Sequence, residues 1–451
     1  MLYRISYVIY RIKYKEIILA KKLKIAFNTL GCKSNRYDTI KLQEVLKGYP
    51  IEIIPFEEKA DLYIINTCAV TNHSEAHSRQ IIRRAKKNNK EADILVTGCY
   101  AQADKKAIEK LEEVTYVIEN IKKDNISSFI REKYFPTEKK IDETSIFIQS
   151  FDNQTRPFIK IQDGCQSNCS YCIIPRTRPI MSSVKKEDIA KQINILSNQG
   201  YKEIVLTGIH LGYYGIGLDE DINFNQLLQY LDKNTTIERI RISSIDPHEV
   251  TKEFVDIIAN SKRISNHLHI ALQYGDDKVL NDMKRGYTTE SLLKNIEYAN
   301  KKIKNLVYGY DVIVGFPTET EEAFNNTKKI LELTKPGYLH VFPYSKRPLT
   351  SAEANYKQQI NGTIIKKRAK ELRELGKKLK LEKMKFSLGQ IELVLIERKF
   401  EDLNGKIYFR GHTNNYFDVI IEKTSELSDN IIVNVKLKEL YNDNIIIGTL
   451  I

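Results

Sequence analysis

The 451-residue sequence contains no tryptophan, only six cysteines and no apolar run long enough to cross a bilayer. The cysteines divide into two groups of three with none left over, a pattern that favours metal ligation in a reducing compartment over disulfide bonds. The sequence therefore predicts a cytoplasmic protein without a membrane partner.

Residues 1–22 are basic and rich in tyrosine and isoleucine, but they lack an uninterrupted apolar core. Such a segment is a poor secretory signal. We expect either a surface extension or a start codon assigned upstream of the true one, with an organellar presequence as the alternative.

The formal net charge of +13 and the pI near 9.1 favour a polyanionic partner. A high lysine content also accompanies AT-rich coding, so the charge supports nucleic acid binding only together with a domain that could use it. The length predicts two or three domains.

Three cysteines lie on one short segment after an alternating apolar run, FIKIQ, that is typical of a strand. Cys165, Cys169 and Cys172 have the spacing Cys-x3-Cys-x2-Cys. Three thiolates on one loop can hold three irons of a [4Fe-4S] cluster and leave the fourth open to a cofactor. A zinc knuckle and three buried structural thiols are the alternatives, although zinc requires a fourth ligand and the nearest histidines are distant in sequence.

This segment resembles the signature of the radical S-adenosylmethionine superfamily, which usually has an aromatic residue before the last cysteine, here Tyr171. The resemblance implies that S-adenosylmethionine is the cofactor on the open iron. It also implies no catalytic residues beyond the cluster ligands.

In the N-terminal third, three short apolar runs each lead into a cysteine: Cys32, Cys68 and Cys99. Polar segments of helical character follow each run, which predicts a parallel sheet whose strand ends bring the cysteines together near helix N-termini. Three core cysteines are the alternative. Gly31 and Gly98, next to two of them, favour strand ends over strand interiors.

The segments TLGCKSN, NTCAVT and VTGCYAQ, followed by the radical loop (residues 165–172), resemble the methylthiotransferases from about residue 24 to residue 451. The resemblance implies a second [4Fe-4S] cluster held by Cys32, Cys68 and Cys99, whose open iron would present sulfur to the substrate. It also implies a flavodoxin or ferredoxin as electron donor.

Between residues 150 and 385, six strand and helix repeats predict a partial (β/α)6 barrel with its site at the C-terminal strand ends. Polar residues at those ends resemble the cofactor surface of the family. The cofactor contacts predicted in this way are Thr207, Gly208, Ser243, Ser244, Gln273 and Asp311. His210 is read either as a substrate contact or as a hydrogen-bonded barrel histidine.

The segments GIHLGYYG (208–215) and LHVFPYSKR (339–347) resemble the branch that acts on N6-threonylcarbamoyladenosine beside the tRNA anticodon. The branches acting on isopentenyladenosine and on a ribosomal protein are the alternatives. A substrate carboxylate would need a cation. The candidate cations are Arg176, Arg178, Lys346 and Arg347.

The chain departs from the usual pattern of the family at Ser183, Asp246, Ala271, Tyr274 and Thr318.

Apolar residues recur at helical spacing between residues 364 and 385, and lysine and arginine fill the other faces. This pattern predicts a solvated helix packed on the barrel or a ridge that contacts phosphates. Residues 386–451 read as short strands of a small antiparallel β-barrel that resembles the RNA-binding TRAM domain. Arg410, His412, Tyr416 and Phe417 are the predicted RNA contacts, with a place in the barrel core as the alternative for Tyr416 or Phe417.

Together these features predict a tRNA methylthiotransferase that modifies carbon 2 of adenosine 37. A non-catalytic iron-sulfur protein that binds RNA is the alternative of another class. The predicted architecture is α/β, with an extension (1–22), an N-terminal parallel α/β domain (23–140), a radical S-adenosylmethionine domain (150–385) and a TRAM-like domain (386–451).

Overall fold

The computed structural model describes residues 22–151, 154–402, 404–422 and 427–451. The predicted N-terminal extension lies outside the described residues except for Lys22. The chain forms two compact units that meet in sequence between Ile148 and Gln149. The bounds of the four predicted segments stay predictions.

The first unit is a five-stranded parallel sheet of order β2-β1-β3-β4-β5 covered by helices. Side chains alternate along β3, so that Leu62 and Ile64 enter one apolar core while Tyr63 and Ile65 enter another. Burial on both faces explains why the strand reads as a continuous apolar run. The elements are β1 Leu23–Thr29, α1 Lys33–Leu46, β2 Ile51–Ile54, β3 Leu62–Thr67, α2 Asn72–Asn88, β4 Asp93–Gly98, α3 Cys99–Ala103, α4 Lys105–Glu109, β5 Tyr116–Val117, α5 Ile126–Tyr134, and the 3-10 turns Asn120–Asn125 and Glu143–Ser145.

The second unit contains six consecutive parallel strand positions. Sheet β6-β9-β10 and sheet β11-β12-β13-β14 are joined in the chain because only Ser243 separates β10 from β11. The elements are β6 Phe158–Lys160, β7 Gln162–Asp163, α6 Ile174–Thr177, β8 Ser182–Ser183, α7 Lys186–Asn198, β9 Glu203–Thr207, α8 Phe224–Asn234, β10 Arg239–Ile242, β11 Ser244–Ile245, α9 Lys252–Asn260, β12 His267–Gln273, α10 Asp277–Asp282, α11 Thr289–Lys302, β13 Val307–Val314, α12 Glu321–Thr334, β14 Tyr338–Pro343, α13 Ser351–Asn355, α14 Gly362–Ser387, and the 3-10 turns Leu211–Tyr213 and Pro247–Glu249.

The two faces of these strands differ in exposure. Tyr308 of β13 is fully buried, and its hydroxyl donates to Asn300 Oδ1 on α11 at 3.0 Å, so this face packs on helices. On the opposite face, His269 of β12 and Asp311 of β13 are only partly buried. We call the concave face that bears them the lumen.

The C-terminal segment forms a closed five-stranded barrel of order β15-β16-β17-β19-β18. The predicted small β-barrel is therefore confirmed. Four of its strand pairs are antiparallel, whereas β17 and β19 pair in parallel. The strands are β15 Ile391–Glu401, β16 Ile407–Thr413, β17 Asp418–Glu422, β18 Ile432–Asn442 and β19 Ile445–Leu450.

Buried ion pairs dock this C-terminal barrel on the parallel strands. Glu203 of β9 is fully buried and accepts hydrogen bonds from Arg239 at 3.1 Å and from Arg241 at 2.8 Å. The same guanidinium groups donate to the Leu393 carbonyl at 2.9 Å and the Asn414 carbonyl at 3.2 Å in the C-terminal barrel. We call this arrangement the docking network.

Tyr416, a predicted RNA contact, belongs to the same interface. It has φ +78°, and its ring lies 4.6 Å from the guanidinium carbon of Arg241 and 5.0 Å from that of Arg156. The His412 ring stacks on it with centroids 5.0 Å apart. Tyr416 therefore packs against Arg241 of β10, and His412 packs on Tyr416.

Candidate active site

The N-terminal unit places its three cysteines at one edge of the sheet. Cys32 precedes α1, Cys68 follows β3 and Cys99 is the first residue of α3. The three strands that lead to them, β1, β3 and β4, are direct neighbours and parallel. Their carboxyl ends therefore meet at the same edge.

Asn35 links the three segments. Its amide donates to the Leu30 carbonyl at 2.8 Å and to the Thr67 carbonyl at 3.0 Å, and its Oδ1 lies 3.9 Å from Cys99 Sγ. A methyl group at Gly31, which has φ +96°, would lie 2.9 Å from Cys68 Sγ. Asn35 and Gly31 thus connect the segments that carry the three cysteines, of which Cys32 is exposed and the other two are buried.

We predict that Gly98→Ala destabilises this unit. Gly98 has φ +93°, and a β-carbon there would lie 2.5 Å from the Thr67 carbonyl oxygen. The strain of a positive φ and the clash with backbone should together lower the free energy of unfolding by more than about 1 kcal/mol. Thermal unfolding monitored by circular dichroism measures the loss.

Gly200→Ala is the matched control, because Gly200 has φ +94° and no atom of the described residues would lie within 4 Å of a β-carbon added there. It carries the backbone strain without the clash. Equal losses in the two variants would contradict the proposed close packing at Gly98.

In the radical loop, each cysteine sulfur has a hydrogen-bond donor. Cys165 Sγ accepts from the Ser167 amide at 3.4 Å, and Cys172 Sγ accepts from the Ile174 amide at 3.4 Å. Cys169 Sγ accepts from the Arg285 guanidinium at 3.5 Å. Such donors stabilise negative charge on sulfur.

His210 also contacts a cysteine of the radical loop. Its Nδ1 lies 3.8 Å from Cys165 Sγ, and its Nε2 lies 2.7 Å from Glu249 Oε1. Burial opposes the charged imidazole, but the hydrogen bonds with Cys165 and Glu249 outweigh it and raise the pKa of His210 to about 10. The Tyr213 ring stacks on the imidazole with centroids 4.1 Å apart.

The thiols differ in acidity. Burial works against the Cys165 thiolate, yet hydrogen bonds from His210 and Ser167 prevail and lower the pKa of this thiol. Burial raises the pKa of Cys172 to about 12. A metal ion at the site would hold this sulfur as a thiolate, because a coordinated thiol is deprotonated.

Contacts with distant segments fix the radical loop. The Ser170 amide donates to the Met283 carbonyl at 3.0 Å, and its hydroxyl donates to the Asp282 carbonyl at 2.8 Å. Arg285 also donates to Asp246 at 2.7 Å and to the Ala271 carbonyl at 3.0 Å. The loop is thereby tied to the C-terminal ends of β11 and β12.

In the lumen, Asp311 contacts two histidines. His269 Nε2 and His340 Nδ1 lie 3.0 Å and 3.1 Å from Asp311 Oδ1. Burial would raise the pKa of Asp311, but these hydrogen bonds hold it well below its usual range. The expectation that Asp311 ends its strand was wrong: β13 continues to Val314, because the apolar run that follows Asp311 is still paired with β14.

Two family models match the chain. The model of uncharacterized protein family UPF0004 matches residues 24–119. The model of the Radical SAM superfamily matches residues 159–331. These ranges contain the N-terminal cysteine edge and the radical loop, respectively.

The chain is 37% identical over 431 residues to threonylcarbamoyladenosine tRNA methylthiotransferase MtaB of Bacillus subtilis (strain 168), covering 93% of this chain and 95% of that protein. The chain belongs to the methylthiotransferase family of radical S-adenosylmethionine enzymes. It is also 33% identical to tRNA-2-methylthio-N(6)-dimethylallyladenosine synthase of Thermoanaerobacter pseudethanolicus (strain ATCC 33223 / 39E), over 87% of this chain and 86% of that protein.

A solved structure supports the fold of this methylthiotransferase. The radical S-adenosylmethionine methyltransferase TsrM from Kitasatospora setae aligns with a TM-score of 0.56, at 12% identity, over 74% of this chain and 77% of that chain. At this identity the likeness concerns the architecture alone.

A radical S-adenosylmethionine enzyme uses S-adenosylmethionine and an iron-sulfur cluster, and the radical loop fits such a cluster. Three thiols lie within one loop, and each sulfur has a hydrogen-bond donor. The structure has no disulfide among the six cysteines, all of which lie in its described part. The methylthiotransferase therefore has three thiols there for ligation.

The predicted cofactor contacts occupy four strand positions. Thr207 is buried at the end of β9, and the backbone of Gly208 packs against Gln162, whose Oε1 would lie 3.2 Å from an added β-carbon. Gln273 ends β12 with φ +61°. Ser243 and Ser244 lie where β10 meets β11. Their roles stay predictions.

The cations predicted to bind substrate are largely engaged within the chain, which leaves their roles as predictions. Arg347 is buried at 3% exposure. The observed contacts of the others are Arg176 with the Leu349 carbonyl at 2.9 Å, Arg178 with Asp163 at 2.5 Å, Lys346 with Glu353 at 3.3 Å and Arg410 with Asp418 at 2.9 Å.

Sequence reasoning missed two residues near the radical loop. Glu249 follows Asp246 by three positions with Pro247 between them, and this capping-box spacing was a readable signal. Glu249 Oε2 accepts from the Asp246 amide while its other oxygen contacts His210. Arg285 had no signal, since its loop position gives no indication of a cysteine contact 116 residues away.

Proposed function

We propose that this methylthiotransferase adds a methylthio group to carbon 2 of N6-threonylcarbamoyladenosine, next to the anticodon of tRNA. The observation that carries the proposal is the 37% identity to the Bacillus subtilis enzyme of that name over 93% of the chain. The segments at 208–215 and 339–347 support the same branch. The excess of positive charge suits an RNA substrate.

Two cysteine groups would divide the chemistry. Cys165, Cys169 and Cys172 would hold the cluster that, with S-adenosylmethionine, supplies a carbon radical for hydrogen abstraction. The donors at their sulfurs stabilise the thiolate ligands. The second group, Cys32, Cys68 and Cys99 at the N-terminal sheet edge, would hold a second [4Fe-4S] cluster that presents the sulfur for insertion. Asn35 would fix the spacing of the loops that carry these cysteines.

The proposed setting is the cytoplasm, with a flavodoxin or ferredoxin as electron donor. No helix in the described part of the chain has the length and apolar character needed to span a membrane. Reduced thiols are stable in that compartment.

Deleting the gene should remove 2-methylthio-N6-threonylcarbamoyladenosine from total tRNA, because in the proposed reaction this enzyme is the one that places sulfur at carbon 2. Mass spectrometry of digested tRNA nucleosides measures this loss. Complementation with the intact gene should restore the nucleoside. An unchanged level in the deletion strain would reject the substrate assignment.

Dimethylallyladenosine in tRNA is the second candidate substrate, favoured by the 33% identity to its synthase. The same nucleoside profile distinguishes the two, because this alternative predicts loss of the 2-methylthio derivative of dimethylallyladenosine. A ribosomal-protein substrate would leave both nucleosides unchanged. A non-catalytic iron-sulfur protein would form no 5′-deoxyadenosine under reduction.

A further inference from the structure

The lumen contains a group of three residues that the proposed reaction has not used. His269, Asp311 and His340 lie on the neighbouring strands β12, β13 and β14. We call them the lumen triad. Both imidazoles bind the same carboxylate oxygen at 3.0 Å and 3.1 Å, distances typical of hydrogen bonds.

The lumen triad is accessible, unlike a structural core cluster. The His340 side chain is 55% exposed and that of Asp311 is 22% exposed, although both lie in the middle of a parallel strand. The adjacent residues Tyr310 and Val312 on β13 are fully buried. The polar groups therefore face open space inside the barrel.

The orientation of His340 is fixed. Its Nδ1 donates to Asp311, so its other nitrogen, Nε2, is the atom available to a ligand. His269 supports Asp311 from the opposite side. Its ring lies over Gly309, where a β-carbon would come within 2.8 Å of Nδ1, so a side chain at that position would displace it.

An aromatic side chain lies beside this donor. Phe342 follows His340 by two residues, is 49% exposed, and forms an edge contact with the imidazole at a centroid distance of 6.4 Å. Exposed aromatic faces stack on nucleobases. A nucleobase with a polar N6 substituent, here called its arm, could therefore stack on Phe342 and accept a hydrogen bond from His340 on the same strand.

The charges near the lumen favour an anionic arm at His340. At one end, the guanidinium groups of Arg239 and Arg241 are buried and share the carboxylate of Glu203. Towards the radical loop, Arg285 pairs with Asp246. His340 therefore offers the accessible ring nitrogen of the lumen triad, and an imidazole with a proton on each nitrogen can donate one hydrogen bond to Asp311 and another to a carboxylate.

We propose that His340 binds the carboxylate of the threonylcarbamoyl arm through Nε2, with Asp311 and His269 as positioning residues. This inference rests on the proposed function and assigns the group that distinguishes this substrate from an apolar N6 substituent. A carboxylate on one side and Asp311 on the other would together stabilise the imidazolium between them.

The test uses two anticodon stem-loop RNAs that differ only in the arm, one with the free carboxylate and one with its methyl ester. Fluorescence anisotropy measures the Kd of each with the full-length protein. The wild-type protein should prefer the acid. His340→Phe should reduce that preference by about 10- to 100-fold, the value of a hydrogen bond to a charged group, while binding of the ester changes little.

His340→Gln keeps a side-chain N–H donor and should restore part of the preference. His77→Phe, an exposed histidine on α2, is the matched control and should leave the ratio of the two Kd values unchanged. The ratio is informative because a general structural defect would weaken binding of both RNAs equally.

The outcomes separate the two proposals. A His340→Phe protein that keeps the wild-type preference, or a wild-type protein that has none, would overturn the role of His340. A wild-type protein that binds the acid RNA selectively but never converts it to the 2-methylthio product would leave this site standing and reject the proposed reaction.

Discussion

Cys169→Ala should abolish formation of 5′-deoxyadenosine, whereas Cys68→Ala should leave it and abolish only sulfur insertion. Cys169 lies in the radical loop, where its sulfur accepts a hydrogen bond from Arg285. Cys68 lies at the N-terminal sheet edge. If each group holds its own cluster, the loss in the first variant should exceed about a thousandfold, because the uncatalysed reaction is negligible.

Anaerobic reconstitution with dithionite as reductant allows both activities to be measured in one sample. Mass spectrometry quantifies 5′-deoxyadenosine and the methylthiolated RNA. The iron and sulfide content of Cys68→Ala should fall by about half while the radical-loop cluster remains. Ser74→Ala, a polar residue on α2 near the same edge, serves as the control and should retain both activities.

Loss of 5′-deoxyadenosine in Cys68→Ala would contradict the division of labour between the two groups. Full iron content in that variant would contradict the second cluster. The two results are distinguishable because each is read from a separate measurement.

Glu203→Ala should cause the largest loss of stability among the substitutions outside the cysteines. Glu203 is fully buried and forms ion pairs with both Arg239 and Arg241, which would stay buried after losing this shared partner. Removal of one partner from a buried ion pair typically costs about 3–5 kcal/mol. The free energy of unfolding from urea titration, followed by circular dichroism, measures the effect.

Glu238→Ala is the control, because Glu238 is 48% exposed and pairs with Lys202 at the surface. It should change the stability by less than about 1 kcal/mol. Similar losses in the two variants would contradict a special role of the docking network.

The docking network also predicts a dependence of stability on pH. Burial disfavours the charged carboxylate, but Arg241 and Arg239 outweigh it and lower the pKa of Glu203 to about 2. Because the folded-state pKa lies below the unfolded value, the contribution is complete above about pH 4.5 and is lost as the pH falls towards 2. Glu203→Ala should abolish this part of the pH dependence.

Much of the fold followed from local patterns. The apolar runs before Cys68 and Cys99 predicted β3 and β4, since burial on both faces gives continuous apolar strands. The basic helix predicted between residues 364 and 385 extends from Gly362 to Ser387. Cysteines at strand ends could be placed together because parallel neighbours end at one edge.

Contacts between distant segments did not follow from these patterns. Arg285 reaches Cys169 from a loop 116 residues away, and nothing in the sequence around it indicates a sulfur partner. Tyr416 and His412 were predicted as RNA contacts. The sequence around an aromatic residue of a β-barrel does not indicate which other segment of the chain will cover it. In the structure the Tyr416 ring lies against Arg241 of β10, and the His412 ring stacks on Tyr416.

The docking network has a consequence for how this protein can evolve. A chain ending before β15 would leave Arg241 without its contacts at Asn414 and Thr413 and would expose the charged groups of the docking network to solvent. Gene fission or exchange of this last segment with a homologue would then need compensating substitutions in β9 and β10. We expect these strands and the terminal barrel to be inherited together as one block.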